Sequence, residues 1–186
     1  MIMKKRSAVP SLGLSLLLLA CSAGEGKGPE PSYEGCATDE NWPTVDAALS
    51  GASDDSLQAP VFLAPAAADS LTSEISPQFR FQPSARDSGS DHGNASCPQY
   101  QPASSASRAP LHLPAVSGTL FDLHVQKDGQ DVYRVLTTRQ SASVPLSTWR
   151  TWAGAAISVT LYRVQLDKNE IVAGPFRSAP LILHIH

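Results

Sequence analysis

The sequence predicts an all-β domain built as a single β-sandwich, and three features support this fold class. About seven short segments combine β-branched or aromatic residues with polar–apolar alternation. Turn-forming residues separate these segments at short intervals. Helical character is confined to one short stretch near residues 147–154. Many short strands joined by turns are typical of two packed antiparallel sheets, and we expect that domain to span residues 59–186.

The first two predicted strands lie close together in the chain. Residues 60–65 are apolar and bounded by prolines, as an edge strand can be. Residues 78–82 alternate strictly, which places Phe79 and Phe81 on one face and Arg80 on the other.

The next two predicted strands form a hairpin. Residues 120–126 alternate, and their apolar side chains are expected to face the core: Phe121, Leu123 and Val125. Their polar side chains are expected to face solvent: Asp122, His124 and Gln126. Asp128-Gly129 then supplies the positive-φ residues of a tight turn, which leads into a strand at 132–137.

The C-terminal part of the chain is predicted to contain one helical turn and two further strands. Ser147 is expected to cap the turn and Gly154 to end it. Strands are predicted at 157–161 and at 180–185, the latter with three apolar side chains on one face: Leu181, Leu183 and Ile185.

Part of this pattern resembles a known family. The segment from Pro60 to Pro83, which includes Pro77-x-Phe79-x-Phe81, looks like the first two strands of a fibronectin type III or immunoglobulin-like domain. The hairpin and the segments 157–164 and 180–185 resemble its later strands. The resemblance implies one sandwich over residues 59–186. The polar stretch at about 84–108 is too long for an ordinary loop and is predicted to be a surface insertion.

The N-terminus has the organisation of a secretion signal. Three cations, Lys4-Lys5-Arg6, precede an apolar stretch that runs to Ala20 and is followed by Cys21. The stretch contains Pro10 and is shorter than the roughly 20 apolar residues that a transmembrane helix needs. Residues 1–20 are therefore predicted to be a cleaved signal peptide.

The segment Leu18-Leu19-Ala20-Cys21 resembles the lipobox of bacterial lipoproteins. The resemblance implies that the Cys21 thiol carries a diacylglycerol and that its amine, once exposed, is acylated too. The membrane is then a partner of the protein through this N-terminal lipid anchor. Ser22 in place of an aspartate implies transfer to the outer membrane.

Residues 21–58 are predicted to be a largely flexible tether. Residues 22–35 are rich in Gly and Pro, and residues 36–58 are acidic and rich in Ser and Ala. Cys36 and Cys97 form an even pair in an oxidising compartment, which favours a disulfide worth roughly 4 kcal/mol. Two buried free thiols are the alternative.

Charge and motifs restrict the possible functions. Signal-peptide removal takes three cations from a chain of net charge −3 and leaves −6, which disfavours nucleic-acid binding. No nucleophile elbow, phosphate loop, zinc helix motif or Cys-x-x-Cys is present. We therefore expect a non-enzymatic envelope protein without a cofactor, an interaction or structural module with an envelope protein or polysaccharide as partner.

Two alternatives use specific residues. Trp149 and Trp152 are three apart, which is typical of core packing at the end of a sandwich but also compatible with a platform for sugar rings. The long insertion is a second place for such ligand binding. His184 and His186 share one face of a strand, and with His124 they would resemble a zinc or copper site. The simpler interpretation of this pair is that both histidines lie at a solvent-exposed strand end, so no metal ligand is assigned.

Overall fold

The computed structural model describes residues 28–67, 69–84 and 115–186, which form two β-sheets with two short helices. The elements in chain order are β1 (Ser32–Glu34), α1 (Trp42–Leu49), β2 (Val61–Ala64), β3 (Gln78–Gln82), β4 (Gly118–Lys127), β5 (Gln130–Thr137), β6 (Ser141–Ser143), α2 (Leu146–Arg150), β7 (Ala156–Asp167), β8 (Glu170–Arg177) and β9 (Leu181–His184). The predicted all-β class is confirmed. Apart from Ser84, the proposed insertion at 84–108 lies outside the described residues.

The smaller sheet has the strand order β2-β3-β6, and the larger sheet has the order β1-β5-β4-β7-β8. Strand β9 also pairs with β7, so the larger sheet has six strands. Strands β8 and β9 use different parts of β7: β8 pairs with the part that begins at Tyr162, and β9 with Ala156–Val159. All pairs are antiparallel except β1 with β5.

The two sheets share an apolar core in a sandwich-like arrangement. Phe79 and Phe81 of the smaller sheet pack with the inner face of the larger sheet, which has the predicted inward residues: Phe121, Leu123, Val125, Leu181, Leu183 and Ile185. Phe81 and Phe121 have ring centroids 4.8 Å apart. Alternation therefore predicted the inner face of these strands correctly.

The two hairpins of the larger sheet use left-handed turn residues. The predicted Asp128-Gly129 turn is confirmed, with φ of 54° and 77°. The β7–β8 turn places Lys168 and Asn169 at φ of 51° and 68° without a glycine. Hydrogen bonds offset the cost of this left-handed backbone at Asn169. Its Oδ1 accepts from the Val116 N–H (2.7 Å) and from Asn41 Nδ2 (2.9 Å).

The predicted flexible tether at 21–58 is wrong for much of its length. Strand β1 pairs with β5, and helix α1 covers the outer face of the larger sheet. This outer face has its own apolar cluster, which contains Ala37, Val45, Val116, Leu120, Leu136, Val164 and Leu166. Val45 is fully buried. The segment packs on the sheet because the apolar side chains on this face would otherwise be exposed to water, at a cost of about 25 cal/mol per Å².

Two further differences are local. Strand β8 was not predicted, because Gly174-Pro175 interrupts a pattern that otherwise favours a strand. Helix α2 begins at Leu146 with Pro145 at the N-cap, two residues before the expected cap at Ser147. Gly154 ends the turn with φ of 75°, as predicted.

Candidate functional site

The outer face of the larger sheet changes character along its strands. At one end the face is apolar and is covered by α1. In the middle it has the buried charged side chains of Asp122 and Arg134. At the other end it is polar and forms the floor of an open cleft. The gradient arises because alternate residues of one strand share a face. On β4 these residues are Leu120, Asp122, His124 and Gln126.

Arg134 is the centre of a buried charge network. Its Nε donates to both carboxylate oxygens of Asp122, at 3.0 and 3.2 Å, and its Nη2 donates to Asp122 Oδ2 as well. Its Nη1 donates to Asp46 Oδ1 of α1 at 2.6 Å. The Trp42 ring lies 5.9 Å from the guanidinium carbon, within cation–π distance. The network therefore attaches α1 to the sheet, and Asp122, expected in solvent, is buried.

His124 lies between two carboxylates. Its Nε2 is 3.2 Å from Asp122 Oδ1, and its Nδ1 is 3.6 Å from Asp131 Oδ2. The predicted outward position is wrong, because only 8% of the residue is exposed. The Tyr162 ring covers it edge-on, with ring centroids 4.9 Å apart.

The electrostatics of this cluster follow from its contacts. Burial lowers the pKa of His124, but the carboxylates of Asp122 and Asp131 outweigh it and raise the pKa to about 9. Burial raises the pKa of Asp122, but the nearby His124 cation and the hydrogen bonds from Arg134 hold it below its usual value. The His124 side chain, with Nδ1 3.6 Å from Asp131 Oδ2, lowers the pKa of Asp131. At neutral pH His124 is therefore a cation between two anions.

A cleft of about 900 Å³ adjoins this network. Its floor consists of side chains from β4 and β7: Gln126, Ser158, Thr160 and Tyr162. One wall comes from the segment 54–62, including Phe62, and the other from residues 177–181 between β8 and β9. Tyr162 belongs to both regions, since it lines the cleft and contacts His124.

Charges at the cleft rim neutralise each other. Arg177 donates from Nε and Nη2 to the two oxygens of Asp54, both at 2.7 Å. This hydrogen bonding lowers the pKa of Asp54 and raises that of Arg177. Burial raises the pKa of Tyr162, while the nearby Arg177 lowers it. The rim therefore holds a fork-shaped ion pair that leaves no net charge.

The cleft floor offers uncharged hydrogen-bonding groups. In the part of the chain that the structure describes, the hydroxyls of Ser158 and Thr160 make no hydrogen bond to the protein. Gln126 donates from Nε2 to Asp131 at 2.8 Å, which leaves its carbonyl oxygen as an acceptor. The sequence indicated the position of Ser158 and Thr160, because they alternate with core residues on a predicted strand and so share its other face. The walls of the cleft come from distant segments, and no sequence pattern indicated them.

The tryptophan pair is core. Trp149 is fully buried and Trp152 is 4% exposed, so neither ring can stack on a ligand and the sugar platform at this position is wrong. Their centroids are 5.7 Å apart in an edge-to-face arrangement. Trp149 Nε1 donates to the Thr72 carbonyl at 2.9 Å.

The three histidines considered for a metal site are not brought together. His184 pairs with Ala156 of β7, and His124 with Thr160. Ala156 and Thr160 are four residues apart on β7, so the two histidines lie roughly 13 Å apart along the strand direction. Among the described residues, no group of three or more His, Cys, Asp or Glu side chains is arranged to hold a metal ion.

Two of the three cysteines, Cys21 and Cys97, lie outside the described residues. Cys36 is partly buried against the outer apolar cluster, and its N–H donates to Thr138 Oγ1 at 2.9 Å. The pairing of Cys36 with Cys97 stays a prediction, as does lipidation at Cys21.

Comparison of the chain with protein-family models, with curated proteins and with solved structures found no match. In the ranges described by the structure, no helix has the length and apolar character needed to cross a membrane. The candidate site is therefore defined by its own residues, distances and charges.

Proposed function

We propose that the protein is a non-enzymatic, lipid-anchored protein of the bacterial cell envelope, placed at the outer membrane, whose folded domain is an interaction module. The signal-like N-terminus and the lipobox-like Leu18–Cys21 segment support the anchor. The observation that carries the interaction role is the open cleft on the outer face of the larger sheet. Its partner is then an envelope protein or polysaccharide.

We also propose that the domain is of the fibronectin type III or immunoglobulin-like kind. The strand order supports this assignment, since β2, β3 and β6 form one sheet and β5, β4, β7 and the pair β8/β9 form the other. Two packed, largely antiparallel sheets are the architecture of that family. Strand β1 and helix α1 would then be additions to the common framework. Fold alone does not define a function.

The ionisable groups near the cleft support a binding role over a catalytic one. His124, the histidine in contact with the cleft residue Tyr162, has its pKa raised to about 9. It is protonated at neutral pH and has no lone pair with which to accept a proton. Arg177 is held by Asp54. These charges therefore hold the cleft in shape and are not available for general-base chemistry.

The anchor is tested by acyl labelling and membrane fractionation of the wild type and two variants. Cys21→Ser should lose the acyl label and accumulate as a precursor or soluble protein, because serine cannot form the thioether. Ser22→Asp should keep the label and move to the inner membrane. Normal acylation of Cys21→Ser would overturn the anchor. Cross-linking of the intact lipidated protein in its own envelope tests the interaction role, and a protein without any reproducible envelope partner would contradict it.

A further inference from the structure

We infer that the cleft floored by β4 and β7 binds an uncharged carbohydrate chain. This inference rests on the proposed function, since it names the ligand class of the same interaction domain. It differs from the sugar platform considered for the tryptophan pair, because it uses the opposite face of the larger sheet.

The hydrogen-bonding groups of the floor match a carbohydrate. Sugar hydroxyls both donate and accept hydrogen bonds, and the hydroxyls of Ser158 and Thr160 do the same. The Gln126 carbonyl adds an acceptor beside them, because its amide nitrogen is used by Asp131. Three such groups along two neighbouring strands form a row, with Gln126 paired to Ser158 in the sheet register.

The apolar surfaces of the cleft match the carbon–hydrogen faces of sugar rings. Tyr162 lies at the floor and Phe62 in the wall, together with Pro60 and Pro180. The edge-on contact with the His124 ring, at a centroid distance of 4.9 Å, holds the Tyr162 side chain in place. A fixed aromatic ring beside free hydroxyls recognises a ligand that is polar at its edges and apolar on its faces.

The charges of the cleft select an uncharged ligand. Arg177 and Asp54 form a two-point ion pair, so a charged ligand would have to break that pair before it could use either group. The cleft volume of about 900 Å³ lies in the upper part of the range for small-ligand sites, roughly 300–1,000 Å³. It is sufficient for several linked sugar rings.

An extended peptide is a poorer match for the same surface. Peptides bound along sheets usually add a strand at an exposed edge, where backbone groups are unpaired. The cleft floor is a face formed by β4 and β7, and each of these strands is paired on both sides. Only side chains are therefore offered to a ligand there.

The test is titration calorimetry of the mature lipidated protein in a detergent without a sugar headgroup. The probes are hexasaccharides of β-1,4-glucose, α-1,4-glucose, mannose and N-acetylglucosamine, with hexagalacturonate as the anionic probe. We expect at least one neutral hexasaccharide to bind. The isosteric double variant Ser158→Ala/Thr160→Val should weaken that binding about tenfold, because it removes two hydroxyl partners. The control Ser147→Ala/Thr148→Val removes the same groups from α2 and should bind like the wild type.

Four results would overturn the inference. The first two are that no neutral probe binds at millimolar concentration, or that the cleft variant binds as well as the wild type. The other two are that hexagalacturonate binds more tightly than any neutral probe, or that an uncharged extended peptide displaces the sugar. Unchanged melting temperatures of both double variants exclude misfolding as the cause of lost binding. None of these results affects the acyl-labelling test, and failed lipidation of Cys21 would leave the cleft measurement intact.

Discussion

Raising the pH from 6.5 to 9 should destabilise the folded domain through His124. The pKa of this group is 6.5 in an unfolded chain and about 9 in the folded protein. A folded pKa above the unfolded value gives stability that is fully present below pH 6.5 and is lost as the pH rises through 9. At about 1.36 kcal/mol per pKa unit, the loss amounts to roughly 3 kcal/mol. That is a large part of a typical net stability of about 5–15 kcal/mol.

The assay is urea unfolding of the folded protein at several pH values between 6 and 9.5, compared with two histidine variants. His124→Gln cannot be protonated, so its free energy of unfolding should lose the steep decline. His184→Gln, at an exposed position of β9, should follow the wild type. The difference between wild type and His124→Gln isolates this group from any other titration. A wild-type stability that is flat from pH 6.5 to 9 would show that His124 is not held as a cation by Asp122 and Asp131.

Three further predictions concern stability and covalent structure. Trp152→Ala should destabilise the domain by about 3–5 kcal/mol in chemical unfolding, because it removes a buried indole; an unchanged midpoint would contradict the core assignment. Deleting residues 180–186 should abolish cooperative unfolding, since the deletion removes three buried branched side chains, Leu181, Leu183 and Ile185, and a cooperative truncated protein would refute this. Non-reducing mass spectrometry of the mature protein should find the Cys36 and Cys97 peptides linked; alkylation of both thiols would exclude the bridge.

Local sequence signals predicted much of the inner half of the fold, although strand β6, which adds Ala142 to the core, was not predicted. Strict alternation at Gln78–Gln82 and at residues 120–126 predicted both the strands and the faces they bury. The Asp128-Gly129 turn was predictable because positive φ at both positions favours these residue types. These features depend on neighbours in the chain, so one sequence is enough to detect them.

The outer half depended on contacts that no local pattern contains. Asp122 and His124 alternate with core residues and were therefore expected in solvent, yet both are buried. Their burial requires Arg134 and Tyr162 from neighbouring strands and Asp46 from α1. Helix α1 was missed because only Val45 is fully buried in an otherwise acidic and small-residue segment. The walls of the cleft were unpredictable for the same reason, since they come from segments more than 100 residues apart.

Under the proposed lipid anchor, the early entry of the chain into the fold would determine how the domain is held at the membrane. From the proposed lipidated Cys21 to the start of β1 at Ser32, about 11 residues reach at most roughly 40 Å. A tether that ran to residue 58 would have reached about 130 Å. The chain enters beside the β4–β5 hairpin, where a Cβ on Gly28 would lie 3.5 Å from Asp131 Oδ2. Asp131 also contacts Gln126, so the Gln126 end of the cleft would face the bilayer. The cleft would then bind its ligands close to the membrane surface, just above the lipid headgroups.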